Sequence, residues 1–334
     1  MTFRKKAMIL SALLALLVLA NLLTFVFDPG KPRSSSFAWL DPSLVQAADH
    51  IELYGRDSIN NKGDSGDPVV LIRRNNRWLF RGDGIELPVK QSRVEDLLSA
   101  LSRKAVYPGR AASREASAAL ALDEGRSSRI LVRGGAGLPL LDLLVGTADA
   151  LGREVYLRKA GRSEIHSGED LFTVYTESKP VSWYDLKLFS GGGAQDKSGA
   201  VTAENVQQIE LNFFEAGLSG EGAEKRSYML RRQRNGWIMP GNESALIDSQ
   251  RVDAWLRAVL EAEAEDFSRE APGAPWQSIT LRLGDGSTRV IQAGAPDEMK
   301  SRNAILSGSN LVYVLTERTL SRLFREASYF SANP

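Results

Sequence analysis

The sequence predicts an α+β protein in which an N-terminal transmembrane helix precedes two repeated modules. Each module is expected to be a mainly antiparallel sheet covered by one or two helices. Three observations lead there. A long apolar run lies near the N-terminus, the rest of the chain matches itself in register on both sides of one insertion, and short strand-like runs are segregated from a few amphipathic helical segments.

The 334 residues hold 42 Lys+Arg and 41 Asp+Glu, a formal net charge of +1, and 43% of them are hydrophobic. That is a globular composition with enough chain for roughly two domains. A charge so near zero gives no support for a bulk nucleic-acid binder. The chain has no cysteine. Disulfides, thiolate metal sites, Fe–S clusters, cysteine nucleophiles and a lipidated-cysteine anchor are therefore excluded.

Residues 1–6 form a basic tip, with Arg4, Lys5 and Lys6 before an uncharged apolar run from Ala7 to Phe27. As a helix the run spans roughly 31 Å, the thickness of a bilayer hydrocarbon core. Val18-Leu19-Ala20 resembles a signal-peptide cleavage site, but the apolar run continues past it, which favours an uncleaved anchor. Asp28-Pro29-Gly30 ends the helix. The basic cluster is expected on the cytoplasmic side, so the body faces outward from the inner (cytoplasmic) membrane. Residues 28–48 read as a tether, whose Phe37, Trp39 and Leu40 either dip into the membrane interface or pack on the body.

The body is read as module 1 (49–189), a Gly-rich linker (190–203) and module 2 (204–330). Ile51-Glu52-Leu53 recurs as Ile209-Glu210-Leu211 at an offset of 158. Val70–Trp78 recurs as Tyr228–Trp237, and Arg93-Val94 as Arg251-Val252. The match resumes at offsets of 147–149, pairing Ile130–Arg133 with Ile279–Arg282, Gly146 with Gly294, Gly161 with Gly308 and Leu171 with Leu320. The first copy therefore carries about nine extra residues, assigned to the helix-forming stretch Ser113–Leu122.

Each copy opens with a strand at Ile51 or Ile209 and a hairpin whose second strand starts at Trp78 or Trp237. The tips, Asn75-Asn76 and Asn235-Gly236, suit left-handed turn backbone. A helix follows, with Val94, Leu97, Leu98 and Leu101 on one face, and Val252, Trp255, Leu256 and Val259 in the second copy. Ser92 with Glu95 suggests a capping box, and Asp248 or Ser249 a second cap. Strands are expected at 129–133, 140–146 and 155–159, and at 278–283, 288–293 and 303–306. A closing strand then leads to a short helix near 168–175 or 317–326, capped by Ser167 or Thr316.

The anchor, the hairpin ending in Trp78, the Val94 helix and Val155-Tyr156-Leu157-Arg158 before a glycine turn resemble the bacterial DUF4340 family. The resemblance runs from about residue 50 onward. It implies a membrane-anchored protein with no established activity, often encoded beside ABC-type transport components linked to gliding motility. It transfers no catalytic residues.

The residues themselves offer little chemistry. His50 and His166 are the only histidines, and neither lies in a ligand-spaced cluster. No G-x-S-x-G elbow supports a nucleophile. Gly191–Ser198 only approaches a phosphate loop, with Asp196 where glycine is required. Gly134–Gly137 reads as a turn between strands. Paired carboxylates occur at Asp123-Glu124, Glu169-Asp170 and Glu261–Asp266, the last near a helix C-terminus where negative charge is unfavourable. Catalytic, metal and cofactor residues are accordingly not assigned.

The distinctive charge feature is duplicated. Arg73, Arg74 and Arg77 flank one hairpin tip, and Arg231, Arg232 and Arg234 the other. They form a candidate surface for anionic lipid or an acidic partner, against the plainer reading of a soluble tip. The expected function is a non-enzymatic envelope scaffold, with the bilayer and an ABC-type permease or other envelope proteins as partners and no nucleic acid. The alternatives are an envelope hydrolase using carboxylates in an inter-module cleft, or a small-ligand-binding protein.

Overall fold

The computed structural model describes residues 14, 16–18, 34–56, 68–82, 84–123, 125–189, 201–215, 224–242, 245–273, 275–295 and 301–332. The expected span 7–27 lies outside the described residues except for Leu14, Leu16, Leu17 and Val18, which are helical. No helix among the described residues is long and apolar enough to cross a membrane. The expected linker lies outside them as well, apart from 201–203.

The strands form two antiparallel sheets. The first holds β1 (Ser34–Phe37), β2 (Ala48–Tyr54), β3 (Val69–Arg74), β4 (Arg77–Gly82), β5 (Ile85–Pro88), β6 (Ala105–Ala111), β7 (Ser128–Gly134), β8 (Leu138–Ala148), β9 (Glu154–Lys159) and β10 (Ile165–Glu169). Their order is β1-β6-β10-β9-β8-β7-β2-β3-β4-β5. The second holds β11 (Val206–Glu215), β12 (Glu224–Gln233), β13 (Gly236–Ile238), β14 (Asp266–Ser268), β15 (Gln277–Leu283), β16 (Thr288–Ala293), β17 (Arg302–Leu306) and β18 (Val312–Leu315). Their order is β13-β12-β11-β15-β16-β17-β18-β14. Among the described residues after position 33, the α-helices are α1 (Gln91–Ser102), α2 (Arg114–Ala119), α3 (Thr173–Thr176), α4 (Ser249–Leu260) and α5 (Glu317–Leu323). The chain divides into two compact units, Met1–Arg73 with Val94–Ser178, and Arg74–Arg93 with Lys179–Pro334.

The two sheets repeat one strand order. Reading β6-β10-β9-β8-β7-β2-β3-β4 against β14-β18-β17-β16-β15-β11-β12-β13 leaves, among the described residues, only β1 and β5 without counterparts. Register agrees with sequence. Ile51 pairs with Leu71 and Val132, and Ile209 with Leu230 and Leu281. Leu157 pairs with Val145 and His166, and Ala304 with Ala293 and Tyr313.

Apolar burial is matched between the two copies. Val94, Leu97, Leu98 and Leu101 of α1 are buried, as are Val252, Trp255, Leu256 and Val259 of α4. Each such side chain contributes about 1.5–3 kcal/mol when removed from water. Trp78 and Trp237 are both buried at 4% exposure, so these matched rings are core anchors. Matched glycines have a shared cause. A Cβ on Gly146 would sit 2.4 Å from the Leu120 carbonyl oxygen, and one on Gly294 would sit 1.6 Å from that of Pro272.

Turn chemistry is as expected at the first hairpin, where Asn75 and Asn76 have φ of 50° and 62°. The caps differ in part. Asp248 caps α4 by accepting the Arg251 N–H at 3.0 Å. However, α1 begins at Gln91, which places Ser92 inside the helix rather than at its cap. Ser167 lies in β10, fully buried, where its hydroxyl accepts from Arg110 Nε at 2.8 Å. Thr316 holds the cap position of α5, but Glu265 makes the bonds. Its carboxylate accepts from Thr316 N (3.0 Å), Thr316 Oγ1 (2.7 Å) and Thr319 Oγ1 (2.6 Å).

Of the two readings for Phe37, Trp39 and Leu40, packing holds. β1 pairs with β6, Trp39 and Leu40 are buried, and Trp39 meets Tyr107 edge-on at 5.0 Å between ring centroids. The stretch read as an insertion folds as α2. Its end delivers Leu122 into a small core with Leu144 and Ile165.

Candidate functional site

The hairpin arginines are dispersed by the structure into different roles. Arg232 is tied inward: it donates to the carbonyls of Val206 (3.0 Å) and Ala203 (2.9 Å) and to Asp253 Oδ1 (2.9 Å). Its guanidinium lies 4.4 Å from the Trp237 ring centroid. Trp237 Nε1 donates to the same Asp253 oxygen at 2.9 Å, closing the network. Arg74 pairs with Glu86 at 3.0 Å, and Arg73 donates to the Gln46 carbonyl at 3.2 Å. Arg77, Arg231 and Arg234 are exposed.

The histidines lie on different strands. His50 on β2 has Nε2 3.0 Å from Glu52 Oε1. The Glu52 carboxylate also accepts from the Tyr54 hydroxyl and faces Arg133 Nε at 3.5 Å. Alternation along β2 puts these three side chains on one face. Burial, then the Glu52 bond and charge, push the Tyr54 hydroxyl up to about 12, so it stays a donor at neutral pH. Beside this ladder, Arg129 Nε grips Asp142 at 2.7 Å, with a second bond from its Nη2. His166 on β10 sits among rings, 5.1 Å from Phe37 and 5.7 Å from Trp39 between centroids. Its Nδ1 is 3.1 Å from the Tyr107 carbonyl oxygen.

The carboxylates read as pairs in the sequence are engaged separately. Asp123 holds Arg126, Glu169 faces Arg103 at 4.0 Å, Glu263 faces Lys90 at 4.0 Å and Glu265 caps α5. Among the described residues no group of three His, Asp or Glu is placed to hold a metal ion.

Two recesses flank the β9–β10 turn. On one side a recess of about 380 Å³ is walled by Phe37, Trp39 and His166 and by Lys159 and Arg162. On the other, one of about 570 Å³ is lined by Ser113, Arg114, Ser117, Asp123, Arg158, Gly161, Arg162 and Ser163. Arg158 is oriented by bonds to the Arg162 carbonyl (2.8 Å) and the Leu122 carbonyl (2.6 Å). Among the described residues the Ser117 hydroxyl, in a residue 7% exposed, has no hydrogen-bond partner, nor has Arg158 Nε. An unmet buried polar group costs about 1–3 kcal/mol. The second unit has a recess of its own, about 550 Å³, floored by Phe213, Tyr228 and Phe324.

A family model, "Domain of unknown function (DUF4340)", matches residues 82–277, more than half of the chain. The protein belongs to the DUF4340 family. In this DUF4340 protein the matched stretch runs from the end of β4 into β15, so it takes in parts of both sheets. No curated protein and no solved structure matches the chain.

Proposed function

We propose that this DUF4340 protein is a non-enzymatic, single-pass envelope protein. Its body would lie outside the inner membrane and serve as an interaction scaffold of a transport assembly of the ABC type. The observation that carries the reading is the uncharged apolar run 7–27 behind Arg4, Lys5 and Lys6. Its described residues Leu14, Leu16, Leu17 and Val18 are helical and expose 52–71% of their surface, which suits a lipid environment better than water. The scaffold part is supported by the duplicated strand order, and by acids and histidines engaged in structural pairs rather than converging. The transport part rests on what the family resemblance implies.

Carbonate washing of membranes and protease treatment of intact spheroplasts test the reading. The full-length chain is expected in the membrane pellet, with its body cut from outside. A chain released by carbonate, or a body that external protease cannot reach, overturns it. For the scaffold, a membrane partner should be recovered by pull-down from mild detergent. Recovery of the protein alone across several conditions counts against that part.

A further inference from the structure

Positive charge is distributed unequally between the two copies. Register makes Arg158, Lys159 and Arg162 equivalent to Ile305, Leu306 and Ser309, because Leu144 pairs with Arg158 as Gln292 pairs with Ile305. Arg114 lies on α2, in the stretch that the second copy lacks. The same framework therefore carries four cations at one end in the first copy and none at the matching positions in the second.

Three of them, Arg114, Arg158 and Arg162, line the recess of about 570 Å³ beside the β9–β10 turn. Among the described residues none of the three has a carboxylate partner, whereas Arg74, Arg110, Arg129, Arg232 and Arg251 each do. The one acid in the lining, Asp123, is engaged by Arg126. Among the described residues Ser117 adds a buried hydroxyl without a partner, and Ser163 adds a second hydroxyl, while the Ser113 hydroxyl already caps α2.

We propose that this recess binds a phosphate group. Guanidinium forks match phosphate oxygens in pairs. A carboxylate has two oxygens and one charge, too few for three guanidiniums and two hydroxyls. A phosphate ester offers more oxygens and up to two charges. The same monoester group occurs on phosphatidic acid and on a soluble phosphate ester, and both would be held by the same atoms. Arg158 is pre-set by its two carbonyl contacts, so it is ordered before a ligand arrives. Arg114 and Arg162 are exposed and close from the rim. This site is independent of the scaffold reading and survives its failure.

The test titrates glycerol 1-phosphate into the full chain in phosphatidylcholine nanodiscs by calorimetry. Saturable binding is expected, weakened about tenfold or more by either Arg114→Gln or Arg162→Ser. Arg162→Ser installs the residue of the second copy, and among the described residues neither side chain supports the fold through a hydrogen bond. Arg234→Gln, an equal charge loss on the other unit, is expected to leave affinity unchanged. Adding phosphatidic acid to the nanodisc separates the sources. A headgroup ligand displaces the soluble ester, while for a soluble ligand the affinity stays the same. Absence of saturable binding in the phosphatidylcholine discs, or an equal loss in Arg234→Gln, overturns the site.

Discussion

Gln91 and Ser249 perform one task with different chemistry. Each is the first residue of its helix, and each accepts the backbone N–H of the hairpin tryptophan: Trp78 N to Gln91 Oε1 and Trp237 N to Ser249 Oγ, both at 2.8 Å. Gln91 Nε2 also donates to the carbonyls of Trp78 and Val89. Gly236, at φ 130°, admits Ser249, since a Cβ there would lie 2.3 Å from its Oγ. Alanine at position 91 or 249 strands that N–H and should destabilise by about 1–3 kcal/mol, read by urea unfolding. Glu154 makes a second prediction. The Ser167 hydroxyl, then the Arg110 guanidinium, hold its carboxyl below the usual range. A depressed folded pKa gives stability that is present above the ordinary value of about 4.3 and lost as pH falls through the lowered one. Arg110→Met should therefore reduce the loss of melting temperature on acidification below about pH 4.5, compared with the unsubstituted protein.

At the scale of elements, the helices were legible because a 3.6-residue apolar stripe has few other uses. All eight residues assigned to the faces of α1 and α4 are buried. Leu97→Ala should cost about 2–5 kcal/mol by leaving a cavity, measured as a shift in the urea midpoint. Gly146→Ala belongs to the same scale. The Leu120 carbonyl closes over β8, so even a methyl must displace backbone, and about 1–3 kcal/mol of destabilisation is expected by the same measurement. The caps were less legible. Ser92-x-x-Glu95 has the capping pattern, yet the helix starts one residue earlier, where Gln91 is already bound to the hairpin. Nothing local marks Glu265 as the cap of α5, because the two are joined only by the pairing of β14 with β18. β1 was missed for a related reason. Its short Ser-rich run has no strand periodicity, and its partner β6 lies about seventy residues further along the chain.

Across the whole molecule, duplication was the strongest signal, since register survives on both sides of an insertion only if both copies fold alike. The candidate site was harder to find for the opposite reason. It is built where the copies differ, from α2 and the β9–β10 turn, and its arginines are scattered over about fifty residues of sequence. The hairpin arginines are adjacent and repeated in the sequence, yet Arg232 is a brace for Trp237. The N-terminal run poses a simpler question, because its physics is additive. Each lysine near the middle of a spanning helix costs about 2.5–3.5 kcal/mol of insertion free energy. Leu16→Lys with Leu17→Lys thus imposes about 5–7 kcal/mol, enough to defeat insertion of a segment of this length. The doubly substituted chain should leave the membrane pellet on carbonate washing, while the body keeps its urea midpoint. If the substituted chain pellets like the unsubstituted one, residues 7–27 are not what holds the protein to the membrane.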